Sequence, residues 1–142
     1  MIGVDRTFLV QLEITELPLH ASVHVLLKQE VLDAGVEIAL APQILAEFLH
    51  VVTDAKRFLK PMTMSHALTR AEFWWNATEV RRVFPTEAST ELFLDWIGRH
   101  KLGRKRLLDT QLAATLWTAG VRKIVTSNAS DFAPFGFQIL SP

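Results

Sequence analysis

The chain contains no cysteine, which removes disulfides, thiolate zinc sites and cysteine nucleophiles together. No apolar run reaches the roughly 18 residues that a membrane-spanning helix needs. No tract rich in proline, glycine, serine or glutamine marks a disordered segment or linker. The N-terminus, Met1-Ile2-Gly3-Val4-Asp5, has no basic leader and no small-residue cleavage site, so no signal peptide is expected and the cytoplasm is the expected location. Net charge is zero, with 15 basic and 15 acidic residues, so bulk charge announces no nucleic-acid binder. Glycine-rich dinucleotide loops, Walker loops and Gly-x-Ser-x-Gly elbows are also missing, which leaves nucleotide cofactors unsupported.

What remains is a chain of 142 residues, 49% hydrophobic, enough for one domain over residues 1–142 with its own core. Short β-rich runs alternate with helical periodicity along its length. Strands are expected at residues 2–5, 36–40, 80–84, 123–126 and 137–140. Residues 7–13 form a helical turn in this reading. Val23, Leu26, Leu27, Val31 and Ala34 recur at helical spacing before the stop at Gly35. Pro42 opens a helix that reaches Phe58, and Thr63 caps one running through Glu79. Leu92, Phe93, Trp96 and Ile97 mark a helix ending near Gly103, and residues 107–119 a further one with Gly120 as its stop. Such alternation predicts an α/β fold: three layers, α/β/α, around a mostly parallel central sheet.

Four carboxylates stand where apolar segments begin or end. Asp5, Glu47 and Asp109 close the runs Ile2-Gly3-Val4, Ile44-Leu45-Ala46 and Leu107-Leu108, while Asp131 follows the strand-like 123–126 across a short polar loop. Each has an ordinary explanation: a cap for Asp5, a side chain reaching water for Glu47, a first-turn acid favoured by the helix dipole for Asp109, a turn for Asp131. The helical wheel, at ~100° per residue, puts Asp109 on the face shared by Leu108, Leu112, Ala113, Leu116 and Ala119, which a cap does not require. A parallel sheet gathers ligand-binding groups beyond the carboxyl ends of its strands. Two carboxylates ~5 Å apart repel by about 3 kcal/mol at an effective dielectric of 20, so a cluster must protonate or bind cations. With oxygen donors alone, Mg²⁺ or Mn²⁺ fits best, and such ions assist in-line attack on a phosphodiester.

Five basic residues, Arg99, Lys101, Arg104, Lys105 and Arg106, fall just before Asp109, with His100 among them and no acid. Alone, the run reads as a solvated helix end; beside Asp109, Lys101, Arg104, Lys105 and Arg106 are candidates to hold RNA phosphates. Trp74-Trp75 reads as packing or a partner surface sooner than as a base-stacking platform. His20, His24, His50 and His66 are dispersed and read as structural or surface groups.

The ordered set of acids resembles the PIN-domain family, and within it the VapC-type toxins of bacterial toxin–antitoxin pairs. Val4-Asp5-Arg6-Thr7 resembles the opening strand and first catalytic aspartate. Ala46-Glu47-Phe48 resembles the helix with the second acid, and Leu108-Asp109-Thr110-Gln111-Leu112-Ala113-Ala114-Thr115 the third motif. Thr126-Ser127-Asn128-Ala129-Ser130-Asp131-Phe132 is similar to the final loop. The resemblance covers essentially the whole chain. It implies a Mg²⁺- or Mn²⁺-dependent endoribonuclease, a homodimer, and a cognate VapB-type antitoxin. In that reading Asp5, Asp109 and Asp131 ligate the metal, and Glu47 binds it or orients the nucleophilic water; Thr7 and Asn128 give support. Two positions depart from the family pattern: Arg6-Thr7 stands where Thr-Asn or Ser-Asn is common, and Asn128 competes with Asp131 for the fourth charge. The alternative is a non-catalytic PIN-like module that binds RNA or protein.

Overall fold

A computed structural model describes residues 1–142. Five strands of three residues each, Ile2–Val4 (β1), Ile38–Leu40 (β2), Val80–Arg82 (β3), Lys123–Val125 (β4) and Gln138–Leu140 (β5), form one sheet in the order β3-β2-β1-β4-β5. Every pairing is parallel, with Gly3 opposite Ala39 on one side and Ile124 on the other. The helices are Arg6–Glu13 (α1), His20–Leu26 (α2), Pro42–Val52 (α3), Met64–Trp75 (α4), Glu87–Arg99 (α5), Leu107–Thr118 (α6) and Ala129–Phe132 (α7). A π-helical segment, Leu27–Leu32, prolongs α2, and 3₁₀ turns occupy Arg104–Arg106 and Ala133–Phe135.

The chain steps from β1 through β2 to β3 in one direction, then returns to the other side of β1 for β4 and β5. Right-handed crossovers then place α1 to α4 on one face and α5 and α6 on the other. Helix contacts agree: α1 packs on α2 and α3, α3 on α4, and α5 on α6. The expected three-layer α/β/α architecture is the one observed. Its direction of winding reverses between β1 and β4, where doubly wound sheets open a crevice.

Phe8 and Leu9 of α1, Ile44 and Phe48 of α3, and Leu112 and Leu116 of α6 are fully buried against Val4, Ile38, Leu40 and Ile124 of the sheet. Helix α6 approaches β1 closely because Gly3 has no side chain. A Cβ there would lie 2.8 Å from Leu116 Cδ1 and 3.2 Å from Val121 Cγ1. Gly120 ends the approach of α6 at φ +90°, a conformation that costs a side-chain-bearing residue energy. Pro42 is the first residue of α3, and the Thr63 hydroxyl accepts from the His66 amide to cap α4, both as expected.

Several boundaries differ from expectation. Helix α3 stops at Val52, short of Phe58, because Asp54 organises a separate turn: its carbonyl accepts from the Arg57 and Phe58 amides and its carboxylate from the Lys56 amide. Helix α4 ends at Trp75, well before Glu79. The stretch after β4 contains the short helix α7. Trp74 is buried and donates to Glu13 Oε1 at 2.7 Å, while Arg70 grips both oxygens of the same carboxylate. His20 and His24, read from the sequence as dispersed, meet edge to face at 4.5 Å, where they bond the Gln11 and Leu12 carbonyls and pin α2 to α1.

Candidate active site

Asp5 follows β1 and caps α1. Its Oδ1 accepts from the Thr7 amide at 2.9 Å, the Thr7 hydroxyl at 2.6 Å and the Phe8 amide at 3.3 Å. Its Oδ2 accepts from the Thr126 hydroxyl at 2.6 Å, which ties the end of β1 to the end of β4 across the reversal point of the sheet. The carboxyl group is 3% exposed as a residue, and burial pushes its pKa above the ordinary aspartate value despite four hydrogen bonds that pull it down. Capping therefore explains one oxygen of Asp5. The other is spent on the crevice.

Asp109 lies in the first turn of α6. Its pKa is raised to about 6, first by burial and next by the Asp131 carboxylate. Arg6 opposes the rise, while Glu47 and Asp5 add to it. The other three acids nominated by the sequence thus all lie near enough to act on the charge of Asp109. The packing expected around Asp109 is only partly present: Leu112, Ala113 and Leu116 are buried, but Leu108 is exposed and lines the open cavity beside Glu47.

Glu47 projects from α3 next to buried Val51 and Phe48, and its side chain is 14% exposed. Arg6 Nη1 stands 3.3 Å from its Oε2, and Gln43 Nε2 donates to its Oε1 at 2.8 Å. The same Gln43 nitrogen donates to the Leu108 carbonyl, linking α3 to the start of α6. Asp131 sits in α7, where Arg106 Nη2 donates to its backbone carbonyl at 2.6 Å. Arg106 Nε lies 3.5 Å from Asp131 Oδ1, a contact of opposite charges rather than an aligned hydrogen bond, since that buried nitrogen has no hydrogen-bond partner.

Thr7 and Asn128 enter through the same network. Thr7 Oγ1 accepts from the Ser127 amide at 3.1 Å, and the Asn128 amide donates to Thr126 Oγ1 at 2.9 Å. Of the basic run, Arg106 is turned inward to Ser130 and Asp131, whereas Lys101, Arg104 and Lys105 are exposed on the adjoining rim. His100 packs edge-on against Phe135. Two contributors were missed in the sequence, Gln43 and Gln11, and two more, Thr126 and Ser127, stood in the final-loop motif without a role; Ser127 and Gln11 are joined by a reciprocal side-chain pair at 2.7 and 3.0 Å. Gln43 had a local signal, one helical turn before Glu47; the Gln11–Ser127 contact spans 116 positions and had none.

No trio of acidic or histidine side chains is gathered at metal-ligand geometry in this arrangement. Arg6 and Arg106 face Glu47 and Asp131 instead. The donors are all carboxylate, hydroxyl or amide oxygens, a set suited to a hard divalent cation.

The backbone matches VapC20 of Mycobacterium tuberculosis, a sarcin–ricin loop cleaving toxin, with a TM-score of 0.77 at 17% identity and full coverage of both chains. The chain has the PIN-domain fold. VapBC2 of Rickettsia felis, solved on a DNA fragment from its promoter, aligns at TM-score 0.70 and 15% identity over 99% of this chain and 98% of that one. FitAcB of Neisseria gonorrhoeae aligns at 0.68 and 14% over 99% and 96%. No protein-family model matches the chain, and no curated protein matches it in sequence. At these identities the likeness is one of PIN-domain architecture. No helix is long and apolar enough to cross a membrane.

Proposed function

We propose that the chain is a Mg²⁺- or Mn²⁺-dependent endoribonuclease and the toxin of a toxin–antitoxin pair. The observation that carries this reading is Asp109, whose acidity is weakened by burial and by three other carboxylates drawn from separate segments. A fold that only needed a helix-start acid would not assemble the other three around it. Asp5, Asp109 and Asp131 would hold the cation, with Glu47 beside them. When bound, the ion supplies charge neutralisation at the scissile phosphate and acidifies water.

The chain's own residues supply position. Thr7 and Thr126 hold the Asp5 carboxylate in one rotamer from both sides. Glu47, steadied by Gln43 and Arg6, would bind the ion or orient the attacking water. Exposed Lys101, Arg104 and Lys105 would hold RNA outside the acidic pocket, a division between positioning and chemistry. The structural neighbours support the biological setting. VapC20 is described as cleaving the sarcin–ricin loop, and another neighbour is a toxin–antitoxin complex from Klebsiella pneumoniae. A VapB-type antitoxin and a homodimer belong to the same proposal.

The test is incubation of the purified chain with structured RNAs, with Mn²⁺ or with EDTA. Cutting that needs the ion and is lost in Asp5→Asn and Asp109→Asn is expected. Cutting that survives both substitutions removes the assignment. RNA binding without cutting under any ion would favour the non-catalytic module, a reading that draws on the Arg6–Glu47 and Arg106–Asp131 pairs already neutralising two of the acids.

A further inference from the structure

A cavity of about 320 Å³ opens directly beside Glu47, and its wall carries one arginine, Arg57, that the acid cluster does not engage. Arg6, His50 and Arg57 line it together with Glu47, Val51 and Leu108. Arg6 spends only Nη1 on Glu47, at the long distance of 3.3 Å. Arg57 touches Asp54 through Nε alone, also at 3.3 Å, and half of its side chain is exposed. Their remaining guanidinium N–H groups are free to donate. The Asp54 turn that ends α3 early also aims Arg57: three amides, those of Lys56, Arg57 and Phe58, close on Asp54.

Arg57 has a second position of interest. It also lines a larger cavity of about 670 Å³, walled by Ile14, Phe58, Leu59, Pro61 and Met62. Lys60 and His66 add positive or protonatable groups to that wall. Of its acids, Glu13 is paired with the Arg70 guanidinium and accepts a further hydrogen bond from Trp74 Nε1, while Glu16 is exposed. The two cavities therefore meet at one arginine, with the acid cluster at one end and an apolar hollow at the other.

We propose that Arg57, with Arg6 and His50, forms a phosphate subsite through which single-stranded RNA leaves the acid cluster toward the larger cavity. The inference rests on the nuclease reading above but names a path lined by other residues than the Lys101–Lys105 rim. Guanidinium groups bind phosphate through paired N–H donors, and the apolar walls of the larger cavity suit a splayed base. Charge complementarity favours a polyanion, since Arg57 lines both cavities and Lys60 stands on the wall of the larger one.

The test is fluorescence anisotropy with a labelled single-stranded RNA in EDTA, where cleavage is blocked. The native chain is compared with Arg57→Ala, and Lys105→Ala serves as a rim control. The proposal expects Arg57→Ala to weaken binding several-fold and to make the plot of log K against log salt shallower by about 0.7, the slope lost with one single-strand phosphate contact. Arg57 is exposed at the surface, and an unchanged melting temperature checks that the variant folds. An unaltered affinity and slope in Arg57→Ala overturns the proposal, and so does failure of the native chain to bind RNA. Stabilisation by poly-glutamate combined with RNA binding unmoved in Arg57→Ala would assign these cavities to an acidic protein segment and overturn it equally. RNA cleavage retained by a chain whose Arg57→Ala variant binds normally would leave the nuclease reading standing alone. A normal Arg57 effect without any cleavage would do the reverse.

Discussion

At the scale of single residues, Asp109 exposes the tension between stability and chemistry most clearly. Its folded-state pKa, about 6, lies above the ordinary value of 3.8. Between those values the folded protein binds the proton more tightly than the unfolded chain, so stability falls as pH rises and the full cost is present above about pH 6. Asp109→Asn should therefore raise the melting temperature at pH 7.5, leave it nearly unchanged at pH 4, and flatten the slope between. Melting curves across that range check it; a variant less stable than native at pH 7.5 would show that the carboxylate is structurally needed. Asp5 should behave differently. Its carboxylate satisfies two amides and two hydroxyls, so Asp5→Ala strands buried donors and removes a cap, at a cost of about 2 kcal/mol. Asp5→Asn keeps an acceptor toward α1 and should lose less than half of that in a urea titration.

At the scale of elements, the join between the 3₁₀ turn Arg104–Arg106 and α7 depends on a single guanidinium. Arg106 bonds the Ser130 and Asp131 carbonyls, so Arg106→Ala should speed amide exchange at residues 129–132 while α3 and α4 stay protected. Exchange rates unchanged there would return Arg106 to the RNA-facing rim on which the sequence placed it. Gly3 joins β1 to α6 in another way. A Cβ would press on Leu116 and Val121, and Gly3→Ala should cost roughly 1–2 kcal/mol as overpacking, measured by denaturant unfolding.

Elements of this kind also mark the limit of what the sequence could tell. Helix starts and stops governed by local chemistry, such as Pro42, Thr63, Gly35 and Gly120, were legible because each acts on its own neighbours. The parallel sheet followed from alternation, and the four acids from their places beside apolar runs. The early end of α3 was hidden because apolar Phe58 continues the stripe while Asp54 forms a competing turn. The inward turn of Arg106 and the Gln11–Ser127 pair were hidden because they join elements that meet only after folding. Leu108 was misjudged because a helical wheel knows the face but not where a cavity opens beside it.

At the scale of the whole molecule, the fold places charge where the sheet reverses its winding. The Thr126–Asp5 bond closes the crevice between β1 and β4, α3 brings Glu47 from one layer, and α6 and α7 bring Asp109 and Asp131 from beyond the other edge. The fold brings the other three acids within electrostatic reach of Asp109, although no three of them stand at metal-ligand geometry. A divalent cation that binds there should favour the folded state and displace the proton that Asp109 retains near pH 6. Titration of Mn²⁺ into the native chain and into Asp109→Asn by calorimetry at pH 6 measures both effects. Saturable binding with proton release by the native chain, abolished in Asp109→Asn, is the predicted result; no uptake of Mn²⁺ by the native chain, or equal uptake by both, would contradict the assignment of these four acids to one cation-binding centre.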